Sequence, residues 1–574
     1  MSPIAKAKDH LGRRARRIQR YRRLMRYRND PRTATVILAV ASAVSVALIL
    51  YFGRGTTFSG DESTWVASTP DIDLRTIFTP HGGHLLALTR VVYWPILEVF
   101  GTAYLPFRLL AIGAVLLTVW LLFAYGRRRT DHFVAVAPCV VLLFFGADFL
   151  HLFQGNGFTV MISLALGIAS LLCLEREDRR GDLLACLWLT IGVFAYSTIL
   201  PFVVAIGVLV LIRKDRWRRI WIPLVPAAIY CLWRVWLVTA DVSGAGGGFD
   251  ATNLLLIPAW SFQSLCGILN SLTGLSFAFS GGNTTAPVEL AGPPLAILFI
   301  VLIGWKISRY GLGRALLATL VVTLSLFALQ AVASDGSGAR IPGADSRYLY
   351  PGAVVVILIA YELARSWRPS PRGLVAILLV TACGLATNLM LMKDNSAYVR
   401  ESGYEVRSLT GAMELAIQGR PRIATGEDLG DSVTGSSIGA LAGMARLDYG
   451  DFGYSPDELA EQPAARRASI DLVGIKASGI KLYSFGPASS TAKCRVYAAG
   501  PDGVVRAETG PRYVTFRSPV GGTVKLGRFA DSAGVGVGTL KPGVPASLTL
   551  PEDSAPQPWK IAVATPKLEV CRDA

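Results

Sequence analysis

The sequence predicts an α-helical polytopic membrane protein of about eleven transmembrane helices, followed by an extracytoplasmic C-terminal α+β domain that ends in a β-sandwich. Three observations predict it. Of 574 residues, 52% are hydrophobic and 17% charged, and a mean hydropathy of +0.45 excludes an ordinary soluble protein. Apolar runs approaching the ~20 residues needed to cross ~30 Å of hydrocarbon recur from residue 34 to residue 391. From Lys393 onward the chain turns instead to Gly, Ser, Asp and short alternating segments.

Residues 1–33 form a basic arm. It holds twelve Lys or Arg against two Asp, which is +10 of the net +17. Beside a first span such an arm sets topology and touches anionic lipid. No base-reading fold accompanies it, so nucleic acid is not expected as a partner. The following run, "TATVILAVASAVSVALILYF", exceeds a signal-peptide core of about 7–15 residues and lacks a clean small-x-small site. An uncleaved first span with a cytoplasmic N-terminus is therefore expected.

The apolar segments are 34–52, 105–125, 132–150, 157–174, 183–198, 200–212, 219–238, 293–306, 314–333, 350–364 and 372–391. The tract 183–212 lies between two basic loops, "EREDRRGD" and "RKDRWRR", that belong on one side, so it is read as two short spans meeting near "YSTILP". With eleven spans every Arg-bearing connection falls inside. The loop 53–104, the "HLFQGNG" turn, the loops 239–292 and 334–349, and the domain 392–574 then fall outside. The loop 239–292 has no basic divider, so its apolar part is expected to lie at the interface rather than to cross.

Six of the eight cysteines lie in or near apolar segments and act as small hydrophobes. Cys494 and Cys571 fall in the C-terminal domain, where an oxidising compartment would allow a bridge between its first and last strands; two separate thiols are the alternative.

The first long outer loop, 53–104, concentrates polar reagents: Asp61, Glu62, Asp71, Asp73, Arg75, His81, His84 and Arg90. Singly each is an ordinary solvated charge. Adjacent carboxylates directly after a span, with Gly60 to let the backbone turn, are a functional hypothesis by default. The segment from His84 to Phe100 is amphipathic and suits an interfacial helix. "PHGGH" lacks a third ligand for zinc, so His81 and His84 are read as hydrogen-bonding or turn residues. The loop before the span at 350 carries Arg340, Arg347 and Tyr348, and Arg is the side chain best shaped to hold a phosphate.

An acidic "DE" pair opening a long first outer loop, an interfacial helix in that loop, and "RYLYP" before a late span together resemble the GT-C superfamily of integral-membrane glycosyltransferases, over about residues 34–391. The C-terminal domain is similar to the arrangement in actinobacterial cell-envelope arabinofuranosyltransferases. The resemblance implies a polyprenyl-phosphate sugar donor, a glycan, lipid or protein acceptor, Asp61 or Glu62 as base, Arg347 and Tyr348 on the lipid phosphate, and His81, His84 or Arg340 on the sugar, with inversion at the anomeric carbon. The second acidic motif of metal-dependent relatives has no clear counterpart, which leaves a divalent cofactor without an evident ligand set. A transporter or flippase, and a non-catalytic envelope scaffold, are the competing classes. Transporters place charge near the bilayer midplane, whereas here it gathers at the outer ends of spans, Glu362 being an exception near the cytoplasmic end of its helix.

Residues 393–420 read as helical. Seven short segments between 494 and 573, punctuated by Gly and Pro, read as strands of a sandwich from about residue 491. Trp559, Tyr513 and Phe516 suit either the core of that sandwich or sugar stacking, and core is the expectation.

Overall fold

The computed structural model describes residues 31–69, 72–240, 251–275, 291–333, 345–419, 438–447, 452–483, 493–509, 512–530 and 534–572. The basic arm through Asp30, Asp71, the Gly-rich stretch 241–250 and Arg340 lie outside them. The chain divides into two compact units. One comprises Met1–Arg54, Asp73–Val92 and Leu105–Val399; the other comprises Gly55–Ile72, Tyr93–Tyr104 and Arg400–Ala574. The loop 53–104 is thus shared out: Asp61 and Glu62 belong with the C-terminal residues, and Asp73, His81 and His84 with the spans.

Among the described residues, ten helices are long and apolar enough to cross a membrane, the last of them, Pro371–Gln418, beginning in the first unit and ending in the second. The break expected in the 183–212 tract is present. Helix Arg179–Ala195 ends at Tyr196, a 3-10 turn covers Ser197–Ile199, and helix Leu200–Leu211 follows with Pro201 in its first turn, where a missing N–H costs nothing. Another helix is interrupted where the sequence suggested continuity. His132–Leu143 gives way to a turn at Gly146–Asp148 before Phe149–Phe153. Gly146 allows this: a Cβ there would lie 2.2 Å from the Asn388 carbonyl oxygen. The freed backbone groups are taken up by side chains, with the Ala147 N–H donating to Asn388 Oδ1 (3.1 Å) and Asn395 Nδ2 donating to the Gly146 carbonyl (3.2 Å).

The segment expected at the interface is helical. Ile257–Thr273 is a continuous helix, and 253–273 is long and apolar enough to cross. It packs on helix Ser346–Leu363, where a Cβ on Gly352 would fall 2.3 Å from Ile268. Its buried face carries Ser264, Gly267, Asn270 and Ser271, the small and polar residues that let membrane helices approach closely. Glu362, the exceptional mid-chain charge, accepts from the Tyr125 hydroxyl (2.9 Å) and pairs with Arg129 and Arg365, so it fastens helices together.

In the second unit, eight strands form two four-stranded antiparallel sheets, in the orders β1-β8-β3-β6 and β2-β7-β4-β5. They are β1 Lys493–Ala498, β2 Val504–Glu508, β3 Tyr513–Arg517, β4 Gly522–Gly527, β5 Val535–Leu540, β6 Ala546–Thr549, β7 Lys560–Ala564 and β8 Lys567–Arg572. Seven coincide with the predicted segments. The extra strand, "VGVGTL", carries glycine at alternate positions, which weakens the strand signal. Phe516 and Trp559 are buried in the core between the sheets, and Tyr513 is half-buried. Cys494 and Cys571 face each other in the β1–β8 register and are joined by a disulfide.

Candidate functional site

In the second unit, Gly60 turns the chain with φ 57° and the helix Asp61–Ala67 begins immediately after it. Two carboxylates in the first turn complement the positive end of the helix. Successive helical residues are rotated by ~100°, so adjacent side chains cannot share one environment. Asp61 is exposed, whereas Glu62 is fully buried. Glu62 accepts from the Tyr93 hydroxyl at 2.9 Å and from the Tyr104 hydroxyl at 2.8 Å. Burial and the adjoining Glu62 carboxylate push the Tyr93 hydroxyl well above its usual range, which keeps it a donor. Around this clamp Trp65 lies against Tyr93, and Phe58 against Tyr104 and Phe452. Helix Ile438–Ala445 backs the carboxylate helix, and Gly443 permits the approach, since a Cβ there would stand 2.6 Å from the Ala67 Cβ.

The first unit holds the other candidates. "PHGGH" is a tight hairpin turn, with His81 and His84 exchanging backbone hydrogen bonds of 3.1 and 2.9 Å across Gly82 (φ 54°) and Gly83 (φ 77°). Two positive φ values in succession are what a two-residue hairpin loop demands and glycine supplies. His84 Nδ1 lies 2.7 Å from the Ser197 hydroxyl and its ring tilts over Tyr196 at 4.2 Å, so the turn is seated on the break between the two short helices. Just upstream, helix Leu74–Phe78 is capped by Asp73, whose carboxylate accepts from the Thr76 N–H at 2.6 Å. Arg90 donates to the carbonyls of Thr76 and Thr79, and Trp233 Nε1 donates to that of Phe78 (2.8 Å). Between this helix and the spans lies an open apolar cavity of ≈ 530 Å³, lined by Phe78, Leu85, Phe194, Trp233 and Trp236, with Arg75 its one charged wall residue.

Helix Ser346–Leu363 begins at Asp345, which accepts from the Arg347 N–H (3.2 Å). Burial pushes the Asp345 carboxyl upward, opposed by Arg347 and its own hydrogen bond. Arg347 is exposed and its guanidinium stands 5.1 Å from the Tyr348 ring centroid; Tyr348 in turn contacts Trp260. Beneath them is a pair that the sequence reading passed over. Asp148 is fully buried, holds His151 Nδ1 at 2.8 Å and accepts from the Tyr350 N–H at 2.9 Å. It thereby fixes the first turn of the helix that presents Arg347. The available signal was a carboxylate and an imidazole three residues apart inside the apolar run "FFGADFLHLF".

The structure therefore resolves Asp61 from Glu62, seats His84 against Ser197, and exposes Arg347 on a helix start braced by Asp148. The two carboxylates belong to one unit, and the histidines, Arg347 and Tyr348 to the other. Among the described residues, Cys494, Glu569 and Cys571 form a group with metal-holding spacing, but both sulfurs are spent in the disulfide.

No family model matches the chain, and no curated protein matches it in sequence. Among solved structures, ArnT from Cupriavidus metallidurans in the apo state is similar at 13% identity and a TM-score of 0.46, covering 75% of this chain and 91% of that one. The same protein bound to undecaprenyl phosphate gives 14% and 0.43, over 74% and 91%. An oligosaccharyltransferase from Archaeoglobus fulgidus in the apo form gives 12% and 0.43, over 68% and 58%. Likenesses of this size establish no family.

Proposed function

We propose that the chain is a membrane glycosyltransferase of the GT-C type. It transfers a sugar from a polyprenyl-phosphate donor to a hydroxyl of a cell-envelope glycan, lipid or protein, on the extracytoplasmic face of the cell membrane, with the N-terminus in the cytoplasm. The observation that carries this reading is the division of labour in "GDESTW": Glu62 is sealed beneath two tyrosine hydroxyls while Asp61, one residue earlier, is exposed. A general base must reach its proton, and the exposure of Asp61 supports it over the buried Glu62 in that role.

Asp61 removes the acceptor hydroxyl proton as the acceptor oxygen bonds to the anomeric carbon. The bond from that carbon to the phosphate oxygen breaks, and the polyprenyl phosphate leaves with the electron pair, so a single displacement inverts the configuration. Arg347 and Tyr348 hold the phosphate as charge develops on it. His84, with Arg340 and His81, orients the sugar. The apolar cavity beside Arg75 supports an amphiphilic donor, since its walls suit isoprene units. The fully paired Glu362 cluster weighs against the transporter reading, which requires a charge able to change partners.

The test is transfer by membranes carrying Asp61→Asn, Glu62→Gln or both, from a panel of polyprenyl-phosphate sugars. Asp61→Asn is expected to lower the rate by about 10²–10⁴, the usual contribution of a general base. Unchanged transfer in the double variant overturns the assignment.

A further inference from the structure

The β2-β7-β4-β5 sheet alternates cleanly. Val505, Ala507, Val524, Leu526, Ile561 and Val563 point into the core, and the intervening residues form the opposite face. On that face the register sets Ala562 directly between Arg506 on β2 and Lys525 on β4. One step along, Lys560 stands between Glu508 and Gly527. Strands lie about 4.8 Å apart, so the Arg506 and Lys525 stems rise about 10 Å from one another with only a methyl group between them. The result is a trough of ≈ 200 Å³ lined by Arg506, Glu508, Lys525 and Lys560, with Ala562 and Gly527 as its floor.

The charges are arranged unequally. Asp502 holds one Arg506 nitrogen at 2.7 Å, whereas neither Lys525 nor Lys560 has an ion-pair partner among the described residues. Three cationic donors around one carboxylate acceptor do not suit a polyphosphate, which Glu508 would repel. They suit a ligand bearing one negative group among many hydroxyls. The negative group would lie toward Lys525 and Arg506, while ring hydroxyls donate to Glu508 and accept from Lys560. An apolar floor of one methyl width leaves room for the flat of a single ring.

We propose that this trough binds an acidic sugar unit of an envelope glycan, so that the C-terminal domain holds a polymer by a site separate from any transfer chemistry. The proposal does not depend on the transferase reading, and Asp61→Asn should leave the binding intact.

The test is direct binding by the full-length chain in nanodiscs of neutral lipid, at low and physiological salt. The probes are tetragalacturonate, galacturonate monomer, neutral maltotetraose and anionic phosphatidylglycerol vesicles. Saturable binding of tetragalacturonate at least tenfold tighter than maltotetraose is expected. It should weaken at least tenfold in Lys525→Gln/Lys560→Gln, and also in Ala562→Phe, which fills the floor while keeping every charge. Monomer binding within tenfold of the tetramer identifies a single-unit site on a free or polymeric sugar alike. Equal binding of the neutral oligomer, undiminished binding by both variants with unchanged unfolding temperature, absence of saturable binding, or tighter capture of the vesicles each overturns it.

Discussion

Replacing Glu62 separates a residue that builds the site from one that would act in it. The carboxylate is fully buried and receives hydroxyls from Tyr93 and Tyr104 at 2.9 and 2.8 Å. A hydrogen bond to a charged group contributes about 1.5–3 kcal/mol and a neutral one about 0.5–1.5 kcal/mol. Glu62→Gln keeps the shape but loses the charge assistance of both bonds, so a loss of about 2 kcal/mol is expected. Glu62→Ala strips two buried hydroxyls of their acceptor at about 1–3 kcal/mol each and leaves a void, for about 3–6 kcal/mol in all. Asp61→Ala, on the exposed side of the same turn, should leave stability nearly unchanged. The assay is denaturant unfolding of the purified chain in detergent, paired with transfer measured at a temperature where each variant is folded. Glu62→Gln should keep most of its transfer rate once folded, and Asp61→Asn should keep its stability and lose its rate. The reasoning is refuted if Asp61→Ala destabilises as much as Glu62→Ala, or if folded Glu62→Gln is inactive while Asp61→Asn is active.

Cys494→Ser opens a covalent loop of 77 residues, worth about 4.5 kcal/mol on the chain-entropy account, and should cost the C-terminal domain most of that in denaturant unfolding; a non-reducing gel reports the bridge in the parent chain. Gly83→Val forces a β-branched residue to φ 77° and should loosen the His81–His84 turn, read as faster amide exchange there, with Gly82→Ala milder. Asp471 accepts from the N–H groups of Arg528, Phe529 and Ala530, yet burial pushes its carboxyl upward overall. A folded value above the unfolded one adds stability on the acid side, and that contribution disappears as pH rises through the folded value. Asp471→Asn, which does not titrate, should flatten the unfolding profile just above the ordinary carboxylate range; an unaltered pH slope contradicts it. Arg347→Lys keeps the charge but loses the planar fork that meets the charge developing on the phosphate, so it should lower kcat more than it raises the KM for the lipid donor.

Run length and flanking arginines disclosed the long apolar helices, and the break at "YSTILP" with them, because bilayer thickness sets the length of apolar run to look for. The packing of helix Ile257–Thr273 depends on Gly352 in another helix, which no local pattern records. Strand β5 was hidden by its own glycines. The same limit applies to the site. "DE" announced itself as chemistry, but the separate positions of the two carboxylates are decided by tyrosines 31 and 42 residues away. Asp148 carried no motif of its own in the sequence, and its partners, His151 and the Tyr350 N–H, are supplied by the fold.

The strand order of the C-terminal domain imposes a timetable on its synthesis. β7 and β8 are the last two strands in the sequence, and each is an inner strand of its sheet, β7 between β2 and β4 and β8 between β1 and β3. Until they emerge, β1 and β2 have no neighbour to pair with, and the Cys494 thiol must wait for a partner 77 residues downstream. A growing chain therefore carries unpaired strand edges until almost the whole domain has been made, and then closes both sheets nearly at once. Stalled or truncated translation products of this domain should be substrates for holding chaperones and proteases rather than partly folded intermediates.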